Sequence, residues 1–398
     1  MILFAAFGIR LSFTVFFVAL IDDFGWSRAD TSLIFSTTMI VFAATSTAAG
    51  MMLDRWGART TFTIGAAILG CGLLLSSQIQ TLGQLAITYG VIAGLGITIL
   101  GLSMHASVIR DWFKQRLGAA IGVAFAGTGL GAFIVTPSAE ALISRYDWRT
   151  AIVFLAILIL LMIIPVQLFS VRRPSDIGLK IDAESPHQPK THDEDDHWDF
   201  QTTIRTPAFW LMILAGIGAI SPVRMMTVHQ FAIMADSGIG RSVGAQAIGF
   251  AGVMAAITFI FAGMLSDRIG RVPTYVLGGI ALIGALTITN YFGLGWTVWP
   301  YAILLGIGEG TRSSLVSATT ADIFAGKTLG AINGTVGASY GVGAAILPWA
   351  AGWLFDQTGS YSIAIWIGIA TIIISMIALG SGQASARKIH QENTPKHD

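Results

Sequence analysis

Four charged residues lie deep within long apolar stretches of this 398-residue chain: Arg10, Arg224, Glu309 and Arg312. A charge at the centre of a membrane helix is disfavoured by about 2.5–3.5 kcal/mol, so such residues are candidates for a functional site. Each arginine presents a planar fork of donors that suits a carboxylate. Because three arginines face one glutamate, the excess positive charge predicts a small organic anion as the ligand. Snorkelling or pairing with backbone carbonyls is the structural alternative.

Glu309 and Arg312 are three residues apart and would share one face of a helix, which predicts an ion pair directed toward a central cavity. Two interpretations of this pair remain open. In the first, the pair is permanent and neutralises itself. In the second, a substrate carboxylate displaces Glu309 from Arg312, and protonation of Glu309 accompanies the exchange.

Three further polar residues are candidates for the same site. His229 follows Arg224 by five positions and could relay protons, because an unperturbed imidazole titrates near pH 6.5; a hydrogen-bonded packing histidine is equally compatible with the sequence. Asn333 and Tyr340 could donate hydrogen bonds to a substrate or could pack between helices. No metal-ligand spacing, phosphate-binding loop or nucleophile–base set is present, so the sequence predicts neither an enzyme nor a cofactor.

The elements that must position these residues follow from composition. Hydrophobic residues make up 54% of the chain and charged residues only 11%, less than half the roughly 25% typical of soluble proteins. The sequence divides into apolar runs of about 20 residues, the length that crosses a bilayer. It therefore predicts an all-α integral membrane protein with twelve transmembrane helices. The expected divisions are an N-terminal six-helix bundle over 1–170, a cytoplasmic linker over 171–206, a C-terminal six-helix bundle over 207–383 and a cytoplasmic tail over 384–398.

The lysines and arginines outside these runs are distributed asymmetrically. Most follow even-numbered predicted spans or lie in the C-terminal tail, which predicts a multi-pass protein of a cell (inner) membrane with both termini in the cytoplasm. The net charge of +1 gives no indication of a nucleic-acid partner. The expected partners are a small organic anion, protons and membrane lipid, and the expected working unit is a monomer.

The two predicted bundles repeat one another. The segment from Gly50 to Gly57, with Asp54 and Arg55, recurs 213 positions later from Gly263 to Gly270, with Asp267 and Arg268. Two same-sense halves related by an axis along the membrane normal form one of the known plans of secondary transporters.

The repeated segment resembles a signature of the major facilitator superfamily, Gly-x-x-x-Asp-Arg-x-Gly-x-Arg. In the first half it comprises Gly50, Asp54, Arg55, Gly57 and Arg59, and its echo at Asp267 and Arg268 is degenerate. The segments from Phe24 to Arg28 and from Trp112 to Gly122, including Phe113 and Arg116, resemble the monocarboxylate-transporter-like branch, which includes oxalate/formate exchangers. The resemblance implies alternating access around a cavity between the halves, with the signature residues gating the cytoplasmic ends.

The sequence departs from the substrate signatures of that branch. The eighth span carries no charge and the eleventh carries no basic residue. The resemblance by itself therefore assigns neither a monocarboxylate nor oxalate as the substrate. The leading hypothesis is a secondary transporter of a monocarboxylate-type anion, coupled to protons or working by exchange. The alternatives are a same-fold transporter of an amphipathic drug or an inorganic anion, and a membrane sensor that does not transport.

Overall fold

The architecture is that of a bundle of long helices. A computed structural model describes residues 1–112, 117–169, 200–324 and 329–393 of the chain. Most of the predicted linker, and Phe113 and Arg116 of the second family motif, lie outside these residues. Within the described ranges, nine helices are long and apolar enough to cross a membrane. One of them, Arg28–Ser76, is two spans joined at Gly57, where φ of 77° requires a residue without a Cβ atom.

With two more long helices, Val298–Ile323 and Leu329–Thr358, the described chain forms twelve spans. Numbered in chain order they are α1 Ile2–Phe24, α2 and α3 on either side of Gly57 in Arg28–Ser76, α4 Leu82–Arg110, α5 Leu117–Arg145, α6 Trp148–Leu168, α7 Pro207–Asp236, α8 Arg241–Ile269, α9 Arg271–Leu294, α10 Val298–Ile323, α11 Leu329–Thr358 and α12 Ser362–Asn393. The predicted all-α class is confirmed, and the predicted count of twelve agrees with these described helices.

Short polar side chains begin several of these helices. The Ser27 hydroxyl accepts a hydrogen bond from the Asp30 amide at the start of α2. Asp147 accepts from the Thr150 amide in the same way before α6. Such caps satisfy amide groups that have no partner within the helix, so the local sequence sets where each span begins.

The two halves contact each other through α5 against α8 and α2 against α11. Glycines allow the backbones to approach: a Cβ atom added to Gly129 in α5 would lie 2.8 Å from the Gly252 carbonyl oxygen, and one added to Gly249 in α8 would lie 2.8 Å from the Phe133 Cα. Small residues at helix contacts are the usual means of close packing in membranes.

We expect Gly129→Ala to weaken this contact, because the added methyl group would meet backbone and the Ala256 Cβ at 2.7 Å. Overpacking of this kind costs about 1–3 kcal/mol, so the thermal midpoint of the purified protein in detergent should fall. Gly127→Ala is the matched control, since its Cβ would lie 3.8 Å from the nearest atom, Phe4 N. Equal midpoints for the two variants would contradict the close contact.

The halves separate along α2 and α11 toward the end that carries Asp54. A Cβ added to Gly352 near the opposite end would lie 2.6 Å from the Arg28 carbonyl oxygen, and the Ser36 hydroxyl donates to the Ala345 carbonyl at 2.6 Å. By contrast, Cβ atoms added to Gly334 and Gly337 would meet no described atom within 4 Å. The described halves are therefore joined at the end that carries Arg28 (the Arg28 end) and open toward the other (the Asp54 end).

Candidate functional site

A cavity of about 120 Å³ lies between the halves and contains three of the four predicted interior charges, Arg10, Arg224 and Glu309. Its walls are otherwise mainly apolar and come from both halves; they include Phe7, Leu11, Phe125, Ile220, Val223 and Phe259. A few polar groups in an apolar cleft are typical of small-molecule sites. The cavity therefore suits a ligand that has one charged group and an apolar body.

Arg10 is the cavity cation without a carboxylate partner. It lies in the last turn of the first segment of α1, Ile2–Leu11, which ends where Ser12 interrupts the helix. Its Nη2 is 3.5 Å from the Met39 sulfur, and its guanidinium carbon is 5.6 Å from the centre of the Phe7 ring. Its Nε is buried with no hydrogen-bond partner, and it forms no ion pair with any residue that the structure describes. The guanidinium is thus available to an anion.

Arg224 and Glu309 form an ion pair across the cavity wall between α7 and α10, with Nη2 and Oε1 3.2 Å apart. Both side chains remain partly exposed, at 14% and 29%. Arg224 also lies 3.4 Å from the Thr227 hydroxyl, so its fork is held from two sides. The predicted ion pair between Glu309 and Arg312 is wrong: Glu309 reaches the arginine of the neighbouring helix instead of the one three residues along.

Arg312 does not line this cavity. Its side chain is 1% exposed and turns away from Glu309 into the packing of the second half, where it donates to carbonyl groups of α7. The predicted contact between Arg312 and a substrate is therefore not supported by its position. The three-residue spacing does place both residues near one face of α10, but their side chains take different partners.

His229 is fully buried near the Arg28 end and away from the cavity. The Pro348 carbonyl can only accept, so Nε2 donates to it at 2.8 Å, and Nδ1 accepts from the Tyr361 hydroxyl at 2.9 Å. Burial raises the pKa of the Tyr361 hydroxyl above its usual range, which keeps it a donor. The Ser32 hydroxyl, from the first half, lies 3.3 Å from Nε2. His229 thus joins the halves through a network that is satisfied in the neutral form.

Asn333 and Tyr340 also lie apart from the cavity lining. The Tyr340 and Ser317 hydroxyls are 3.1 Å apart, linking α11 to α10. The Asn333 amide oxygen is buried and finds no partner among the described residues. The link to Ser317 favours helix packing over contact with a ligand for Tyr340 in this arrangement.

Ion pairs between the halves close the Arg28 end. Arg28 pairs bidentately with Asp236 of the second half, at 2.7 and 2.9 Å, and stacks over the Phe355 ring at 3.7 Å. Arg241 of the second half pairs with Asp22 of the first at 2.6 Å. Arg28 and Arg241 are 213 positions apart, which is the offset of the sequence repeat, but the repeat did not reveal that each pairs with an aspartate of the opposite half. We call these two ion pairs the Arg28 latch.

Breaking the latch should open the Arg28 end. At about 0.2–1 kcal/mol for each of the two ion pairs, an Asp236→Asn/Arg241→Gln variant should shift the conformational equilibrium by roughly two- to thirtyfold. Ser36, 5% exposed behind the latch, provides the reporter. In a Cys71→Ser background, a cysteine at position 36 should react correspondingly faster with a hydrophilic maleimide.

The matched control for this measurement is Arg149→Gln. Arg149 pairs with Asp23 at 3.0 Å with comparable exposure, yet both residues belong to the first half. The control should leave the labelling rate unchanged. Equal acceleration by both variants would show that the latch does not hold the halves together.

The signature residues lie at the Asp54 end. Arg59 donates to the Gln167 carbonyl of α6, while Asp54 and Arg268 are exposed. In the second half, Arg271 pairs with Asp267 at 2.8 Å and with Asp322 at 3.2 Å. Arg271 was not singled out from the sequence, because the repeat placed Val272 at the last arginine of the signature.

The comparison with known families decides the classification. The model of the Major Facilitator Superfamily matches residues 1–301 and 223–393. The chain belongs to this superfamily. It is accordingly a transporter rather than an enzyme.

Relatives support the predicted branch. Monocarboxylate transporter 12 of Rattus norvegicus is 26% identical over 407 residues, covering 94% of this chain and 82% of that one. Monocarboxylate transporter 11 of Homo sapiens is 25% identical over 398 residues, covering 95% and 80%. The resemblance of this superfamily member to the monocarboxylate-transporter-like branch is confirmed.

Solved structures show the same fold. The inward-facing, unoccupied crystal structure of a bacterial homologue of the human lysosomal transporter Spinster matches with a TM-score of 0.70. It is 15% identical, and the match covers 99% of this chain and 97% of that one. At this identity the likeness concerns the fold alone.

Proposed function

We propose that this transporter carries a small organic anion of the monocarboxylate type by alternating access, together with a proton. The observation that carries the proposal is Arg10, a cavity cation with no ion-pair partner among the described residues, facing a cavity with mainly apolar walls. An anion with one carboxylate and an apolar body satisfies both features. The names of the monocarboxylate transporters among its relatives agree with this class of substrate.

Arg10 and Arg224 are the proposed anion-binding residues. A guanidinium binds a carboxylate through two parallel hydrogen bonds, and in a site shielded from water such a bond is stronger than in solution. Arg10 is free to do so at once, whereas Arg224 is held by Glu309 at 3.2 Å. Substrate binding at Arg224 therefore competes with the existing ion pair.

This competition is the proposed basis of proton coupling. Two carboxylates sharing one guanidinium repel each other, so an anion that approaches Arg224 favours the protonated form of Glu309. Protonation of Glu309 in turn releases Arg224 for the anion, and by linkage each event promotes the other. We assign proton coupling to Glu309, and the buried, satisfied network around His229 favours a structural role for that residue.

Alternation would expose the cavity first at one end and then at the other. In the proposed orientation the protein lies in the cell (inner) membrane. Both termini and the Asp54 end face the cytoplasm, and the Arg28 latch faces the outside. In this orientation the closed latch and the open Asp54 end describe a cavity that faces inward. The signature residues would then close the opposite end in the outward-facing state.

Uptake into proteoliposomes tests the function. The purified protein should accumulate labelled monocarboxylates such as lactate or pyruvate, and an inwardly directed proton gradient should accelerate uptake. Unlabelled nitrate and a neutral drug should compete poorly. Uptake of nitrate in preference to carboxylates would contradict the substrate class, and anion exchange without response to the pH gradient would contradict proton coupling.

A further inference from the structure

Arg312 is a buried arginine in the second half. It does not line the cavity, and no described carboxylate explains its burial. Its side chain is 1% exposed and forms no ion pair with any described residue. Its guanidinium lies 4.4 Å from the centre of the Tyr275 ring in α9 and donates to the Ser375 hydroxyl of α12 at 3.1 Å. A buried cation without a counter-charge is costly, so its hydrogen bonds need an explanation.

The other acceptors of Arg312 are two consecutive carbonyls of α7. Nη2 donates to the Gly218 oxygen at 3.1 Å, and Nε donates to the Ala219 oxygen at 3.4 Å. A Cβ added to Gly218 would lie 2.6 Å from the Ser375 Cβ, so α7 and α12 are already in close contact beside this carbonyl. Arg312 therefore contacts the backbone of α7 beside Gly218, a residue that has no side chain of its own.

Pro222 explains why that carbonyl needs a donor. Pro222 lies inside α7, four residues after Gly218. Proline has no backbone N–H, so it removes the helical hydrogen bond to the carbonyl four residues earlier. We propose that Arg312 replaces the hydrogen bond that Pro222 removes, and that it acts as a positioning residue for Arg224, two residues beyond the proline.

The geometry connects this replacement to the cavity. Helix α10 contacts α7 on both sides of Pro222. Arg312 donates to the Gly218 carbonyl before the proline. After the proline, Glu309 Oε1 pairs with Arg224 Nη2 at 3.2 Å. The two contacts are one helical turn apart on α10, so Arg312 fixes the direction of α7 relative to Glu309. The inference rests on the proposed function to the extent that Arg224 and Glu309 bind anion and proton.

A double-mutant cycle between the two residues tests the proposal. In the wild-type background, Arg312→Gln should lower the thermal midpoint and raise the KM for carboxylate uptake about tenfold, because Gly218 loses its donor. Pro222→Ala restores a backbone N–H to the helix. In that background, Arg312→Gln should change the KM less than about threefold and should lower the midpoint by a smaller amount.

The outcomes separate this proposal from the transport proposal. Equal effects of Arg312→Gln in both backgrounds would overturn the replacement of the hydrogen bond. If the wild-type protein transports no carboxylate, the proposed function fails, and the thermal cycle alone still decides the role of Arg312. If Arg312→Gln cannot be purified, recovery of folded protein in the Pro222→Ala/Arg312→Gln variant supports the proposal, and loss of both variants contradicts it.

Discussion

Replacing Arg10 by glutamine should nearly abolish carboxylate uptake while leaving the protein folded. Removing one partner of a buried, hydrogen-bonded charge pair costs about 2–5 kcal/mol, so the KM should rise by roughly thirtyfold or more. The fold should persist, because Arg10 has no ion-pair partner among the described residues and its Nε is unpaired. Because Arg10→Gln breaks no ion pair between described residues, it leaves no other buried charge without its partner.

The measurement is initial-rate uptake in proteoliposomes together with the thermal midpoint in detergent. Arg145→Gln is the matched control, because Arg145 is exposed and lies outside the cavity; its KM should stay within about threefold of the wild type. Arg10→Lys should be intermediate, since an ammonium keeps the charge but loses the planar fork. Wild-type KM in Arg10→Gln would show that the anion binds elsewhere.

Replacing Glu309 by glutamine should uncouple transport from the proton gradient. The amide keeps the size of the side chain but cannot take up a proton, and it no longer holds Arg224 as an ion pair at 3.2 Å. Anion binding then becomes independent of protonation. We expect gradient-driven accumulation to fall by more than about tenfold, while exchange of internal for external carboxylate stays within about threefold, because the linkage of the two ligands is lost.

Comparing accumulation with exchange in the same vesicles separates uncoupling from simple loss of activity. The control variant is Glu140→Gln, which alters a buried carboxylate of α5 that does not line the cavity and accepts from the Ser144 hydroxyl at 2.8 Å. That variant should retain the response to the gradient. Retained coupling in Glu309→Gln, or loss of both activities together, would contradict the assignment of the proton site.

The sequence predicted the fold because membrane helices have a strong and local signal. Runs of apolar residues, the scarcity of charge and the repeat from Gly50 to Gly263 are each visible without tertiary contacts. The cost of burying a charge in a bilayer also identified Arg10, Arg224 and Glu309 as candidates, and the structure places these three around one cavity. Their residue types and their depth within the apolar runs were sufficient to identify them as candidates for a functional site.

The ion-pair partners of those charged residues could not be predicted from the sequence. Spacing along α10 favoured a pair between Glu309 and Arg312, but the energy of a buried ion pair depends on distance in space, and α7 presents Arg224 at 3.2 Å. The same limit applied to the Arg28 latch, whose aspartates belong to the opposite half.

The sequence alone thus determined a two-half membrane transporter with an excess of buried arginine. Only the tertiary structure decided which arginine is free, which is paired and which replaces a hydrogen bond of a neighbouring helix. The physical reason is that helix formation and membrane insertion depend on local composition, whereas ion pairing depends on how separate helices are packed against each other. Arg10, Arg224 and Arg312 have the same chemistry, and their packing gives them different partners.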